Sequence, residues 1–296
     1  MVKVIGNITA EDDYTHPLGP ESNFNESVYF NFFDRANNRG GFIRMGNRAN
    51  EGYAEMTVIV FNSDGSAFFN YKKPEIDNND GWDAGGAKVE VVVPGEEIRT
   101  TYEGSALYME DPRDMKDPGK AFKSNPFRKI KLDLTHYGVG PLYGHVGEEG
   151  DGNDFARAHT EQHMRVEGTL SVEGEPAPVQ ITGHGLRDHS WGPRYWQSTP
   201  SYRWITGNFN DDLGMVLTVS SRGAGGLFHR GDELVRIKDL NLLTEYEEGT
   251  SFHKKLTADI TLEDGNQHQL VGVVKGFIPL RNRRSEQVTY IGEGMT

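Results

Sequence analysis

Apolar and polar residues alternate along most of the chain, and a helical period is hard to find. Residues 27–33, 53–61 and 88–93, then 164–172, 215–219, 255–262, 269–274 and 287–291, alternate with period two. They are rich in β-branched and aromatic side chains, which predicts strands. Asn62-Ser63-Asp64-Gly65, Val172-Glu173-Gly174-Glu175, Asn210-Asp211-Asp212-Leu213-Gly214 and Glu263-Asp264-Gly265-Asn266 supply hairpin turns between them, and Gly223-Ala224-Gly225-Gly226 reads as another turn. No helical stretch is long enough to cross over between parallel strands. The pattern predicts an all-β, antiparallel chain built as barrels or sandwiches.

Two stretches interrupt the alternation. Residues 111–127, rich in Pro, Asp and Lys, read as a long loop with one short helix. Residues 147–154 are acidic, Gly-rich and without apolar side chains, which predicts an exposed, flexible segment. A boundary shortly after it divides the chain into an N-terminal β domain, residues 1–160, and a C-terminal one, residues 161–296. The strand over 287–291 leaves two options: it closes the second barrel, or closing strands follow it.

The length, 296 residues, suits one large or two ordinary domains. A formal net charge of -13 repels phosphate backbones and anionic lipid, so nucleic acid is not expected as a partner. There is no cysteine, which removes disulfides, thiolate metal sites and a thiol nucleophile. Polar residues occur within the first seven positions, and no stretch approaches the roughly 20 apolar residues that span a bilayer. The expectation is a cytoplasmic protein without stable membrane insertion. A homodimer is left open.

Functional side chains concentrate between His184 and Trp204, where three of the four Trp fall among two His, Asp188 and three Arg. On an extended strand His189 and Trp191 share one face, and Asp188 and Ser190 share the other. The His189 and Trp191 face is the one expected to look into a cavity, because an imidazole above an aromatic floor suits proton chemistry on an apolar ligand. Asp188 has an equal claim to a structural role, tying down Arg187 or Arg194. Upstream, Glu26, Tyr29 and Asn31 lie on an early strand, and Glu161, Gln162 and His163 precede the first strand of the second half. In an aromatic-lined cavity Glu161 would have a raised pKa and act as an acid; as a strand-edge residue it would be an ordinary surface carboxylate. Serine-hydrolase elbows, phosphate-binding loops, dinucleotide fingerprints and His-Glu-x-x-His are all missing from the sequence. His159 and His163, about 13 Å apart if extended, do not suit a shared metal.

The run Gly183-x-Gly185-x-Arg187-Asp188-His189-Ser190-Trp191-Gly192-x-Arg194-x-Trp196 resembles the signature of the lipocalin-like superfamily that includes carotenoid 1,2-hydratases, AttH-like proteins and lipocalin-like Diels–Alderases. Glu26-Ser27-x-Tyr29-Phe30, and Glu161-Gln162 before Val166-x-Gly168-Thr169, extend the likeness over most of the chain. The resemblance implies two lipocalin-like barrel or sandwich halves packed together, with a ligand cavity between or within them. It also implies hydration, isomerisation or cyclisation of apolar isoprenoid or polyketide-like substrates, without metal or cofactor. Carotenoid hydratases pair a His-x-Trp with a Tyr-x-Asp on the following strand. Here His189 and Trp191 match the first, but residues 215–219 read Met-Val-Leu-Thr-Val, so the acid falls to Glu161, Glu26 or Asp188.

The leading expectation is an enzyme acting on a terpenoid, steroid-like or polyketide-like molecule. His189, with Asp188 or Glu161, handles protons. Glu26, Tyr29, Arg187, Trp191, Arg194, Trp196, Tyr202 and Trp204 surround the substrate. Two rivals stand beside it: a non-catalytic carrier of a small hydrophobic molecule, and a structural plug of Arg, Asp and Trp joining the halves.

Overall fold

The computed structural model describes residues 2–147, 157–195, 200–284 and 286–296. Trp196 and most of the acidic, Gly-rich run at 147–154 lie outside the described residues. The chain is all-β, as the alternation predicts. The first sheet comprises β1 (Val4–Gly6), β2 (Phe24–Asp34), β3 (Arg39–Arg48), β4 (Tyr53–Phe61), β5 (Ala67–Lys72), β6 (Trp82–Ala84), β7 (Ala87–Val93), β8 (Glu97–Met109), β9 (Phe127–Gly138), β10 (Leu142–Val146), β11 (Ala158–Val172) and β12 (Val179–Pro193). A second sheet is a six-strand meander of β13 (Tyr202–Asn210), β14 (Leu213–Ser220), β15 (Gly223–Arg230), β16 (Glu233–Tyr246), β17 (His253–Leu262) and β18 (Gln267–Val273). A hairpin, β19 (Gly276–Arg284) and β20 (Gln287–Met295), follows.

Part of the first sheet closes on itself. In the order β11, β12, β2, β3, β4, β5, β8 and β9, each strand pairs antiparallel with the next, and β9 pairs back onto β11. An eight-stranded barrel is just wide enough inside to be filled by side chains or to hold one small ligand. Phe30, Phe32, Met45, Met56, Leu132 and Met164 help to fill this one. Strand β1 is an exception to the antiparallel rule and pairs parallel to β10. The first sheet gives way to the second between Pro193 and Tyr202, so β11 and β12, read from sequence as part of the second half, are hydrogen-bonded into the first barrel.

Glycines let β12 lie against β2. A Cβ at Gly185 would fall 1.9 Å from the Asn31 carbonyl oxygen, and one at Gly183 would fall 2.2 Å from that of Phe33. The two signature glycines are thus a packing requirement between strands. Gly223–226, expected as a turn, instead opens β15, and the turn is at Ser221 and Arg222. The missing Cβ of Gly226 admits the Val216 carbonyl oxygen, 2.0 Å from where that atom would stand. Residues 111–127 contain a 3-10 turn, Pro112–Lys116, and a short helix, α1 (Pro118–Ser124). No helix among the described residues is long and apolar enough to cross a membrane.

Two further cores unite the parts. Phe42, Ile59 and Phe69 on the barrel's outer face pack with Met115, Ile278 and Met295, which seats the β19–β20 hairpin on the barrel. Met215, Leu217, Phe228 and Ile260 form the core of the second sheet. At the joint, His163 of β11 meets His229 of β15 with ring centres 4.5 Å apart, and its Nε2 lies 3.3 Å from the Met215 carbonyl oxygen.

Burial, with the His229 charge adding to it, depresses the His163 imidazole to about 3. The unfolded chain keeps an ordinary imidazole near 6.5, so it binds a proton that the folded chain refuses. The stability is therefore present above about pH 6.5 and drains away as the pH falls towards 3. Between pH 6.5 and 5 we expect His163 to account for a loss of about 2 kcal/mol. Unfolding free energies from urea titrations at the two pH values should converge by that amount in His163→Gln, and an unchanged gap would refute the assignment.

Candidate active site

The signature strand β12 presents two faces. Arg187, His189 and Trp191 point into one end of the barrel, where the filling turns polar. Arg187 pairs with Asp13 and donates from Nε to Gln162 Oε1 at 2.9 Å. His189 Nε2 lies 2.9 Å from Glu26 Oε1, and His16 Nδ1 lies 2.7 Å from the same oxygen. The His16 ring stacks on Trp191 at 3.9 Å between centres. Asn79 donates to Glu26 Oε2 at 2.6 Å. Thus this face fastens the segment carrying Asp13 and His16 across the barrel mouth. Glu26 is 0% exposed and His189 2%. Burial raises the Glu26 carboxyl, but hydrogen bonds and charge from His16 and His189 outweigh it and hold the group at about 2.

The outer face carries a different set. Register places Tyr143 of β10 opposite Glu161 of β11, Glu161 opposite Asp188 of β12, Asp188 opposite Tyr29 of β2, and Tyr29 opposite Arg44 of β3. These five side chains form one row across five strands, about 19 Å from end to end at ordinary strand spacing. The second half covers the row. Trp204 Nε1 donates to Glu161 Oε1 at 2.9 Å, and its ring meets Tyr29 edge-on at 5.4 Å. Asn31 donates to Thr206 Oγ1 at 3.1 Å. Glu293 of β20 and Tyr202 of β13 lie close enough for their charges to act on Tyr29.

Within the row, Glu161 accepts from the Tyr143 hydroxyl at 2.7 Å, and Asp188 is paired with His159. Glu161 is 6% exposed, while Asp188 and His159 keep a partial opening. Burial raises the Glu161 carboxyl above its ordinary value; the His159 charge works against that and the Asp188 charge with it. On Asp188 burial also pushes upward, but the charge and hydrogen bond of His159 prevail and lower it. His159 rises to about 9, burial being overcome by Asp188 and Glu161. Two adjacent carboxyls are therefore driven apart, one towards the acid form and one towards the anion, which is the division of labour that acid–base catalysis needs. Burial lifts Glu293 to about 7, with Arg44 opposing. It lowers the buried Arg194, which donates to Ser190, to about 10.

The expected site residues thus fall into two groups. Glu161, Asp188, Tyr29, Arg194, Tyr202 and Trp204 gather around the outer row, while His189, Glu26, Arg187 and Trp191 lie inside the barrel mouth. Asp188 and His189 are neighbours in sequence with a sheet between their side chains. Glu161 is the fourth residue of β11 and does not lie ahead of it. His159, Tyr143, Arg44, Glu293 and His16 were missed. His159 was within reach of the sequence, since it shares a strand face with Glu161 two residues on. The others depend on strand pairing that spacing alone does not reveal.

Among solved structures the chain is similar to a kievitone hydratase from Nectria haematococca, with a TM-score of 0.57 and 12% identity, covering 99% of this chain and 91% of that one. It is also similar to CghA, with a TM-score of 0.50 and 10% identity, covering 91% of this chain and 81% of the other. CghA is also known with Sch210972. At these identities the likeness is one of fold, and it extends over both halves. None of the curated proteins compared matches the sequence. Residues 9–296 match a family profile, and the chain belongs to that family, described as a domain of unknown function (DUF7064).

Proposed function

We propose that the protein is an enzyme of proton-transfer chemistry, acting on a small, largely apolar molecule bound between the outer face of the barrel and the second half. The substrate class is terpenoid, steroid-like or polyketide-like, and the reaction an isomerisation, cyclisation, hydration or dehydration. The observation that carries this reading is the Glu161 and Asp188 pair, side by side on one face with their proton affinities pushed in opposite directions. The name of one similar structure, a hydratase, agrees with it.

Glu161, protonated, gives its proton to a carbon–carbon double bond. The Asp188–His159 pair takes one back, from a neighbouring carbon in an isomerisation or from attacking water in a hydration. The faces of Trp204 and Tyr29 stabilise positive charge on the substrate between the two transfers. Tyr202 and Arg194 would flank the substrate. His189, Glu26 and Arg187 hold β12 from behind and do not meet the substrate.

Mass spectrometry of solvent extracts from the purified protein tests the location. An apolar compound is expected from the native protein and not from Trp204→Ala. Undiminished recovery from Trp204→Ala would place the ligand elsewhere and overturn the reading.

A further inference from the structure

We infer that His16, Glu26 and His189 form a binding site for one divalent transition-metal ion of the zinc type in the mouth of the first barrel, apart from the proposed reaction cleft. The three donor atoms come from three separate parts of the chain and lie within 4.8 Å of one another. Both imidazoles direct a nitrogen at a single carboxylate oxygen, at 2.7 and 2.9 Å. Two imidazoles on one tetrahedral zinc ion, with Zn–N near 2.0 Å, place their ring centres about 5 Å apart. The His16 and His189 ring centres are 5.5 Å apart.

The groups behind His16 and Glu26 match what an ion requires. The other nitrogen of His16 lies 3.2 Å from Asp12 Oδ1, the carboxylate–histidine arrangement that orients metal ligands. The second oxygen of Glu26 is held by the Asn79 amide at 2.6 Å and the His16 backbone N–H at 2.9 Å. Stacking on Trp191 fixes the His16 ring. Charge points the same way. Glu26 is buried, and the two imidazoles meet it as hydrogen-bonding partners at a single oxygen. A buried carboxylate needs a compensating cation. A divalent ion supplies it, and leaves both imidazoles neutral and able to ligate. One side of His16 stays open to solvent, which provides an entry path.

The ion would fasten the segment carrying His16 to β2 and β12. Its role is to secure the barrel mouth, so it stands whether or not the outer row is catalytic. It also departs from the expectation of a metal-free protein.

The test is a competition titration of Zn2+ against a chromophoric chelator, using the full chain stripped with EDTA. One equivalent should bind and raise the melting temperature, and Co2+ in its place should show the visible absorption of a tetrahedral site. His16→Ala should abolish binding and the thermal shift, and Asp12→Asn should weaken binding about 10–100-fold. Because Asp12 is partly exposed, its variant keeps the test open if His16→Ala does not fold. His159→Ala is the control, since His159, Glu161 and Asp188 form the other cluster of such donors among the described residues. Absence of binding to the native chain would overturn the inference. So would binding that His159→Ala removes while His16→Ala and Asp12→Asn leave it intact.

Discussion

Asp13→Ala should destabilise the protein by about 3–5 kcal/mol, the cost of leaving one member of a buried ion pair without its partner. Asp13 is 3% exposed and Arg187 2%. The second Asp13 oxygen accepts the Gly95 backbone N–H at 2.5 Å, so its loss strands a backbone donor as well. Gln162 continues to accept from Arg187, but a neutral amide does not balance a guanidinium charge. A fall in melting temperature of roughly 10 °C is expected, taking 2–4 °C per kcal/mol for a chain of this size. Surface pairs set the contrast. Lys129 and Glu173 stand 3.9 Å apart, both largely exposed, and Lys129→Ala should leave the melt within about 1 °C. The double variant Asp13→Leu with Arg187→Met replaces the pair by apolar volume and should recover most of the loss. If Asp13→Ala melts like the native protein, the pair does not hold the barrel mouth.

The strands were legible because period-two alternation reports burial on one face, and the turns at Asn62 to Gly65 and Glu263 to Asn266 carry their own chemistry. Partner strands were not. Alternation separates His189 from Asp188 correctly, but it is silent on which face is outside. The cavity was expected beside His189 and Trp191, whereas their side of β12 faces a barrel filled by Phe30 and Met45 and stoppered by Asp13 and His16. That stopper comes from a stretch with no periodicity to notice. Strand β12 pairs with β2, about 160 residues earlier in the chain, and no local pattern records such a pairing. The row from Tyr143 to Arg44 follows from four registers together. Any one of its residues, taken alone, reads as an ordinary polar position on a strand. Glu161 reads as an acid only on the condition of an aromatic-lined cavity, and Trp204 brings an aromatic ring to it from the second sheet.

Glu161→Gln is the substitution that bears most directly on the proposed chemistry. The amide keeps the size of the carboxyl and an oxygen for the Trp204 N–H, so the ligand recovered by mass spectrometry should bind within about threefold of native, as expected where a neutral group of like shape keeps its hydrogen bond. Turnover of that ligand should fall by about 10²–10⁴-fold, the usual contribution of a positioned acid. The pH profile gives a second readout. Burial raises the Glu161 pKa, so the proton it must give persists to higher pH than on a free glutamate, and native activity declines as pH rises through that value. The residual activity of Glu161→Gln should lack this decline, because the amide does not titrate. Retained turnover in the variant would remove Glu161 from the reaction. Binding with no turnover in either protein would make the cleft a carrier site, since the geometry would then hold the ligand without moving a proton.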